Sequence, residues 1–329
     1  MKENQLKIIF AAVMVLLAVF SKIGRDIPEK NNLQEAMRNS SFYAANNLGV
    51  TRPDVNLKKT APHMESGTAL TSQFQESIPY RKNWEISEPD LKIKAGIAKD
   101  LTTGTEFYIL NPYDRWPIAS LTKLMTAIIA IEEVGINKKT IISEYAVNSE
   151  GVAGNLKAGE QYSVSDLLKT MLAVSSNDAA VAIAEFYGTE NFIEKMRLKA
   201  SALNMFQTSF SDTTGLSFLN QSNIEDLIKL IQYIYKNHPS VFGITAQKKV
   251  RIFEESGRIE KELLNINFFA SSRTDFLGGK TGFIEESGSN LISLFRHEGH
   301  DILIIVLGTN DRFGQTDLLY NWVKEAYGF

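Results

Sequence analysis

The sequence predicts an α+β domain in which both ends of the folded chain build one antiparallel sheet around a helical insertion. Three observations lead there. Strand-like segments cluster at the two ends of the region after residue 90, helical periodicity fills its middle, and short turns join the strands as antiparallel neighbours.

Lys94–Asp100 and Thr105–Leu110 read as strands joined by Leu101-Thr-Thr-Gly104, a hairpin signal. Ser120–Val134 reads as a helix that is apolar nearly all round and therefore buried, with Gly135 ending it. Ser163-x-x-Asp166 is a capping box that opens a helix over Asp166–Val174. Further helices are expected at Asn177–Tyr187, Asn191–Leu203 and Asn223–Asn237. Strands return at Asn290–Phe295 and Ile302–Leu307, around a turn at Glu298-Gly299. A last amphipathic helix is expected over Thr316–Tyr327.

Ahead of this domain, Ile8–Phe20 is an uncharged apolar run after a short lysine-containing start. It fits an export signal and is short for a spanning helix, which needs about 20 residues. Residues 1–23 are therefore expected to be a signal peptide or an N-terminal membrane anchor, which implies an extracytoplasmic location. Residues 24–90 are polar and poorly patterned and are expected to be a flexible linker, with the folded domain at 91–329. A net charge of −3 gives no reason to expect nucleic acid as a partner. The lack of cysteine excludes a thiol nucleophile, a disulfide and a cysteine zinc site.

Three short motifs carry the chemistry, each occurring once. Ser120-Leu-Thr-Lys123 places a hydroxyl and an amine on one helix face, where a neutral lysine can act as base for the serine. Ser175-Ser-Asn177 lies in the gap between two expected helices; its residues also suit plain helix capping. Gly278-Gly-Lys280-Thr-Gly282 reads as a strand whose glycines admit another backbone, with Lys280 supplying positive potential and Thr281 a hydroxyl. Any one alone fits a bland surface role; their joint order is the equipment for acyl transfer through a serine ester. His297 and His300 flank a turn and lack a third ligand, so no metal or other cofactor is expected. Glu132-Glu133 and Glu285-Glu286 read as solvated faces, and His238 as isolated.

The order S-x-x-K, S-x-N, K-T-G resembles the penicillin-recognising serine enzymes. Asp100-x-x-x-Gly104, Pro117–Thr126, Gly159–Leu168, Thr214-Gly-Leu216 and Gly279–Gly288 extend the likeness to the low-molecular-mass penicillin-binding proteins that act as D-alanyl-D-alanine carboxypeptidases, over roughly Ala95–Trp322. The resemblance implies a transpeptidase/β-lactamase-like fold, peptidoglycan stem peptides as substrates and β-lactams as inhibitors. It implies Ser120 as nucleophile, Lys123 as its base, and Ser175 and Asn177 in proton relay and amide binding. Lys280, Thr281 and Gly282 would form the strand that holds the substrate carboxylate, with Arg312 assisting. The backbone N–H groups of Ser120 and Phe283 would form the oxyanion hole. A β-lactamase is the first competing reading, but the glutamate motif E-x-x-L-N of class A enzymes is absent, Glu262-Leu-Leu-Asn265 being a near miss. A D,D-endopeptidase and an inactive wall-binding module are the others.

Overall fold

A computed structural model describes residues 78–151 and 153–329. The expected signal or anchor (1–23) and linker residues up to 77 lie outside the described residues. The described chain opens with β1 (Tyr80–Arg81), then the hairpin β2 (Ala95–Asp100) and β3 (Glu106–Leu110), and β4 (Trp116–Pro117). A 3-10 turn, Ala119–Leu121, leads into α1 (Thr122–Ile129), which runs on as a π turn over Ala130–Val134. The middle holds β5 (Lys139–Ile141), α2 (Glu144–Val147), β6 (Gln161–Ser163), α3 (Val164–Ala173), α4 (Asn177–Tyr187), α5 (Thr189–Ala202), β7 (Gln221–Ser222), α6 (Ile224–Asn237) and α7 (Ser240–Thr245). The hairpin β8 (Lys249–Glu254) and β9 (Ile259–Leu264), then α8 (Phe269–Ser272), lead to β10 (Phe276–Ile284), β11 (Gly288–His297) and β12 (His300–Thr309). The chain closes with α9 (Arg312–Ala326) and β13 (Tyr327–Gly328).

The main sheet has the order β10-β11-β12-β2-β3, and every pair is antiparallel. β12 pairs with β2 from Ile302 opposite Asp100 to Leu307 opposite Ala95, so the two ends of the domain meet mid-sheet as expected. The run Ile302–Leu307 is apolar throughout because both sheet faces are covered. Leu303, Ile305 and Leu307 point into the helical layer, and Ile302, Ile304 and Val306 point toward α9. A two-residue period with both sets apolar is what a doubly buried strand requires.

Several expectations need correction. Tyr80–Arg81 lies inside the stretch expected to be linker, yet it pairs with Tyr327–Gly328, and the Arg81 guanidinium stands 4.8 Å from the Trp322 ring. The expected helix from Ser120 is three kinds of helix in succession, with Ser120 in the 3-10 turn ahead of α1. The hairpin β8–β9 went unforeseen because its alternation is diluted by charges on both strands. Glu262 belongs to it, opposite Arg251 in the ladder, and its carboxylate makes an ion pair with Lys249. Glu132 is no solvated face: Lys199, Tyr233 and His238 all converge on its carboxylate. His300 is a core residue whose Nδ1 lies 2.8 Å from Asp100 Oδ2.

Candidate active site

The site forms where the sheet edge meets the helical layer. Ala119, just before Ser120, has φ +48, a left-handed conformation costly for a residue with a side chain. Two glycines hold that turn. A Cβ on Gly215 would stand 1.9 Å from Ala119 O, and one on Gly282 would stand 2.9 Å from Ile118 O and 3.3 Å from Ser120 N. Only glycine lets the 212–217 turn and strand β10 press against the backbone carrying Ser120.

Lys123 sits in the first turn of α1, three residues on from Ser120, and is fully buried. Its Nζ donates to Ser120 Oγ at 2.9 Å, Asn177 Oδ1 at 2.6 Å and Thr214 O at 2.6 Å. All three acceptors are uncharged. Burial therefore pulls the Lys123 pKa down to about 7, partly opposed by the Asp212 carboxylate. An amine in that state takes a proton from a serine at neutral pH, which an exposed lysine cannot do.

Asn177 is the first residue of α4, and the neighbouring Ser176 caps that helix by accepting from Ala179 N. The Asn177 amide donates to Glu150 O at 2.5 Å, which fixes its Oδ1 toward Lys123. Ser175 precedes it with φ +60, and its hydroxyl accepts from Lys280 Nζ at 2.8 Å. Lys280 comes from β10, is buried, and also donates to Thr281 O. Burial, and then the nearby charges of Lys123 and Arg312, hold its pKa well below the usual lysine range. Arg312, at the start of α9, donates to Gly282 O at 3.0 Å, and burial lowers its pKa.

The structure thus brings every sequence-predicted site residue to one place, as two linked groups. Ser120, Lys123 and Asn177 form one, and Ser175, Lys280, Thr281, Gly282 and Arg312 the other, with Phe283 next to Gly282 in β10. A cleft of about 510 Å³ opens at Ser120 and Asn177, lined also by Gly215, Phe283 and Glu285 among others. A second cavity of about 560 Å³ shares only Glu150 and Leu216 with it and contains neither Ser120 nor Lys123.

Sequence reasoning missed Asp212. Its carboxylate accepts from the backbone N–H groups of Thr214, Gly215 and Ser217, building the turn that aims Thr214 O at Lys123. The signal was present as Asp212-Thr-Thr-Gly215, a turn-forming run, but nothing local marked its carbonyl as a lysine acceptor.

Fold and cluster together define a serine peptidase of the penicillin-recognising type: an active-serine turn, a buried lysine and a lysine-bearing edge strand. Residues 82–311 match the family model described as D-alanyl-D-alanine carboxypeptidase, and the chain belongs to that family. It is 34% identical to a D-alanyl-D-alanine endopeptidase of Haemophilus influenzae, over 59% of this chain and 68% of that one. It is 28% identical to the D-alanyl-D-alanine carboxypeptidase DacF of Bacillus subtilis, over 77% of this chain and 67% of that one. Among solved structures, the DD-transpeptidase of a Streptomyces strain superposes with a TM-score of 0.67 at 25% identity, covering 73% of this chain and all of that one.

Proposed function

We propose that this protein removes the terminal D-alanine of peptidoglycan stem peptides through an acyl-enzyme on Ser120. The observation that carries the reading is Lys123, a buried amine on neutral acceptors within 2.9 Å of the serine hydroxyl. The terminal carboxylate binds at Lys280, Thr281 and Arg312; neither Lys280 nor Arg312 makes an ion pair among the described residues. Ser120 Oγ attacks the penultimate carbonyl while Lys123 Nζ takes its proton. The Ser120 and Phe283 N–H groups receive the developing oxyanion, a donor pair of the kind that supplies much of the rate. Collapse breaks the peptide bond, the proton passes to the departing amine with Ser175 as relay, and D-alanine leaves. Water then cleaves the ester and frees Ser120.

A second reading, cleavage of cross-links by a D,D-endopeptidase, is favoured by the relative at 34% identity that carries that name. Mass spectrometry of pentapeptide monomers and cross-linked dimers after incubation separates the two. Loss of one D-alanine from monomers supports the carboxypeptidase; splitting of dimers while monomers persist makes the protein an endopeptidase instead.

On this reading β-lactams acylate Ser120 and leave slowly, because Glu262 is held in β9 by Lys249 and no other residue matches the deacylating glutamate motif. The chain works outside the cytoplasm, delivered or anchored by the segment around Ile8–Phe20. Accumulation of the full chain in the soluble cytosolic fraction would refute that placement.

A further inference from the structure

The chain enters the turn that carries Ser120 through the two-residue strand β4, and side chains staple that strand to the main sheet. Trp116 Nε1 donates to Ser287 O at 2.9 Å. Asn290, wholly buried in β11, donates from Nδ2 to Pro117 O at 3.0 Å, and its Oδ1 accepts from Gly308 N at 2.9 Å. On the other side Pro117 pairs with Gln221 of β7, and Ile118 N donates to Asn220 O at 2.9 Å. Asn220 is also wholly buried, and its Oδ1 accepts from Ser211 N and Asp212 N. Residues 116–118 are thus held between the sheet and the turn that supplies Thr214 O to Lys123.

Asn290 has a particular place in the ladder. It stands opposite Gly282 across β10–β11, one residue short of Phe283 in β10. It also falls where the β11–β12 register shifts, between Ser289 and Leu291, and so has no ladder partner on β12. Such irregularities re-aim side chains beside active sites. Here the amide head takes up the Gly308 N–H with its oxygen and reaches β4 with its nitrogen, a donor and an acceptor in one group. The two N–H groups of the oxyanion hole lie on the two parts that Asn290 joins. Ser120 follows Pro117 by three residues, and Phe283 follows Gly282 by one. The gap between them depends on how closely β4 is drawn to the β10–β11 pair.

We infer that Asn290 is a positioning residue for the oxyanion hole: by tying Pro117 to β11 opposite Gly282, it fixes the spacing of the Ser120 and Phe283 N–H groups. The inference rests on the acyl-enzyme reading above and adds a residue that never touches substrate. Without the amide, a buried N–H and a buried C=O lose their partners, and β4 is free to drift from the sheet.

The test is Asn290→Leu in the whole protein, which keeps the side chain's size and removes both bonds. Acylation of Ser120 by benzylpenicillin is followed by rapid quench and intact mass. Alongside it runs inhibition by a boronic acid, whose tetrahedral adduct on Ser120 sets an oxygen in the hole. A hole held slightly out of place predicts an acylation rate constant lower by about 10–100-fold. Boronic acid affinity falls in parallel, while penicillin binding before acylation and the pH midpoint set by Lys123 stay as in the parent. Leu294→Ala, a core truncation in the same strand, lowers Tm and leaves the acylation constant of the folded protein at the parent value. Parent-like acylation by folded Asn290→Leu overturns the inference, as does an equal fall in Leu294→Ala or a moved pH midpoint. Where Asn290→Leu does not fold, Asn290→Ser carries the same test, since it leaves room for water to satisfy Gly308 N and Pro117 O without joining them. If the unaltered protein takes up no penicillin at Ser120, the acyl-enzyme reading itself fails, and this inference falls with it.

Discussion

Asn177 Oδ1 lies 2.6 Å from Lys123 Nζ and gives that buried amine an acceptor without giving it a counter-charge. A carboxylate in the same place would satisfy the same hydrogen bond and defeat the chemistry, because it would hold the lysine protonated. The choice of amide over acid at position 177 is thus a choice of pKa.

The pH profile follows from this. Lys123 must be neutral to act as base, and its pKa is about 7, so acylation of Ser120 rises with pH and levels off above that value. Asn177→Asp places an anion on the amine and moves the midpoint upward by about 1–3 pH units. Penicillin acylation rates measured from pH 5 to 10 check this; an unmoved midpoint would show that Lys123 is not the titrating base.

Ser120→Ala removes the nucleophile and leaves the rest of the cluster in place. Loss of a serine nucleophile typically costs several powers of ten in kcat, on the order of 10⁶ where it has been measured in another serine peptidase. No covalent penicillin adduct should be seen by intact-mass spectrometry. An adduct on the variant would place the nucleophile elsewhere.

Gly215→Ala tests the pressing together of the two turns. The added Cβ would meet Ala119 O at 1.9 Å, and Gly215 has φ +86. Backbone strain of this kind costs about 1–3 kcal/mol before the clash is counted. A thermal melt should show a Tm lower by several degrees, with activity falling further than stability because the strained turn carries Ser120. A Tm within error of the parent would mean that the 212–217 turn moves aside freely.

Asp178 follows Asn177 in α4, is almost wholly buried, and leaves Oδ1 without a hydrogen-bond partner. Burial raises its pKa to about 6. A carboxyl whose folded pKa lies above its unfolded value stabilises the fold below the unfolded value, and that contribution is lost as pH rises through about 6. Asp178→Asn should therefore flatten the stability profile between pH 4 and 6, a window set by the ordinary and raised values. It should add about 1–2 kcal/mol at pH 8. Denaturant melts at pH 4 and pH 8 give the comparison; an unchanged slope between them would contradict it.

Much of this was legible in the chain because periodicity and caps are local. Asn177–Tyr187 forms the expected helix, and Asn290–Phe295 and Ile302–Leu307 fall within β11 and β12. Catalytic side chains were legible because three short motifs, each weak alone, occurred once and in order. What escaped was set by distant contacts. Asp212 acts through a carbonyl two residues on, and Glu132 gathers partners from α5 and beyond the end of α6. Glu285 and Glu286 look like any exposed acidic pair until the fold turns them into the cleft wall. α9 begins at Arg312, before the amphipathic stretch at Thr316, because Asp311 caps it by accepting from Gly314 N.

β10 lies at the border of the main sheet, and the cleft opens along it. Sheet borders are where proteins stick to copies of themselves, and most folds defend them with charge, bulges or cover. Here defence and access conflict, since whatever seals the border also starves the enzyme. Any self-association through β10 would act as a competitive inhibitor whose strength grows with protein concentration, so dilution would restore turnover.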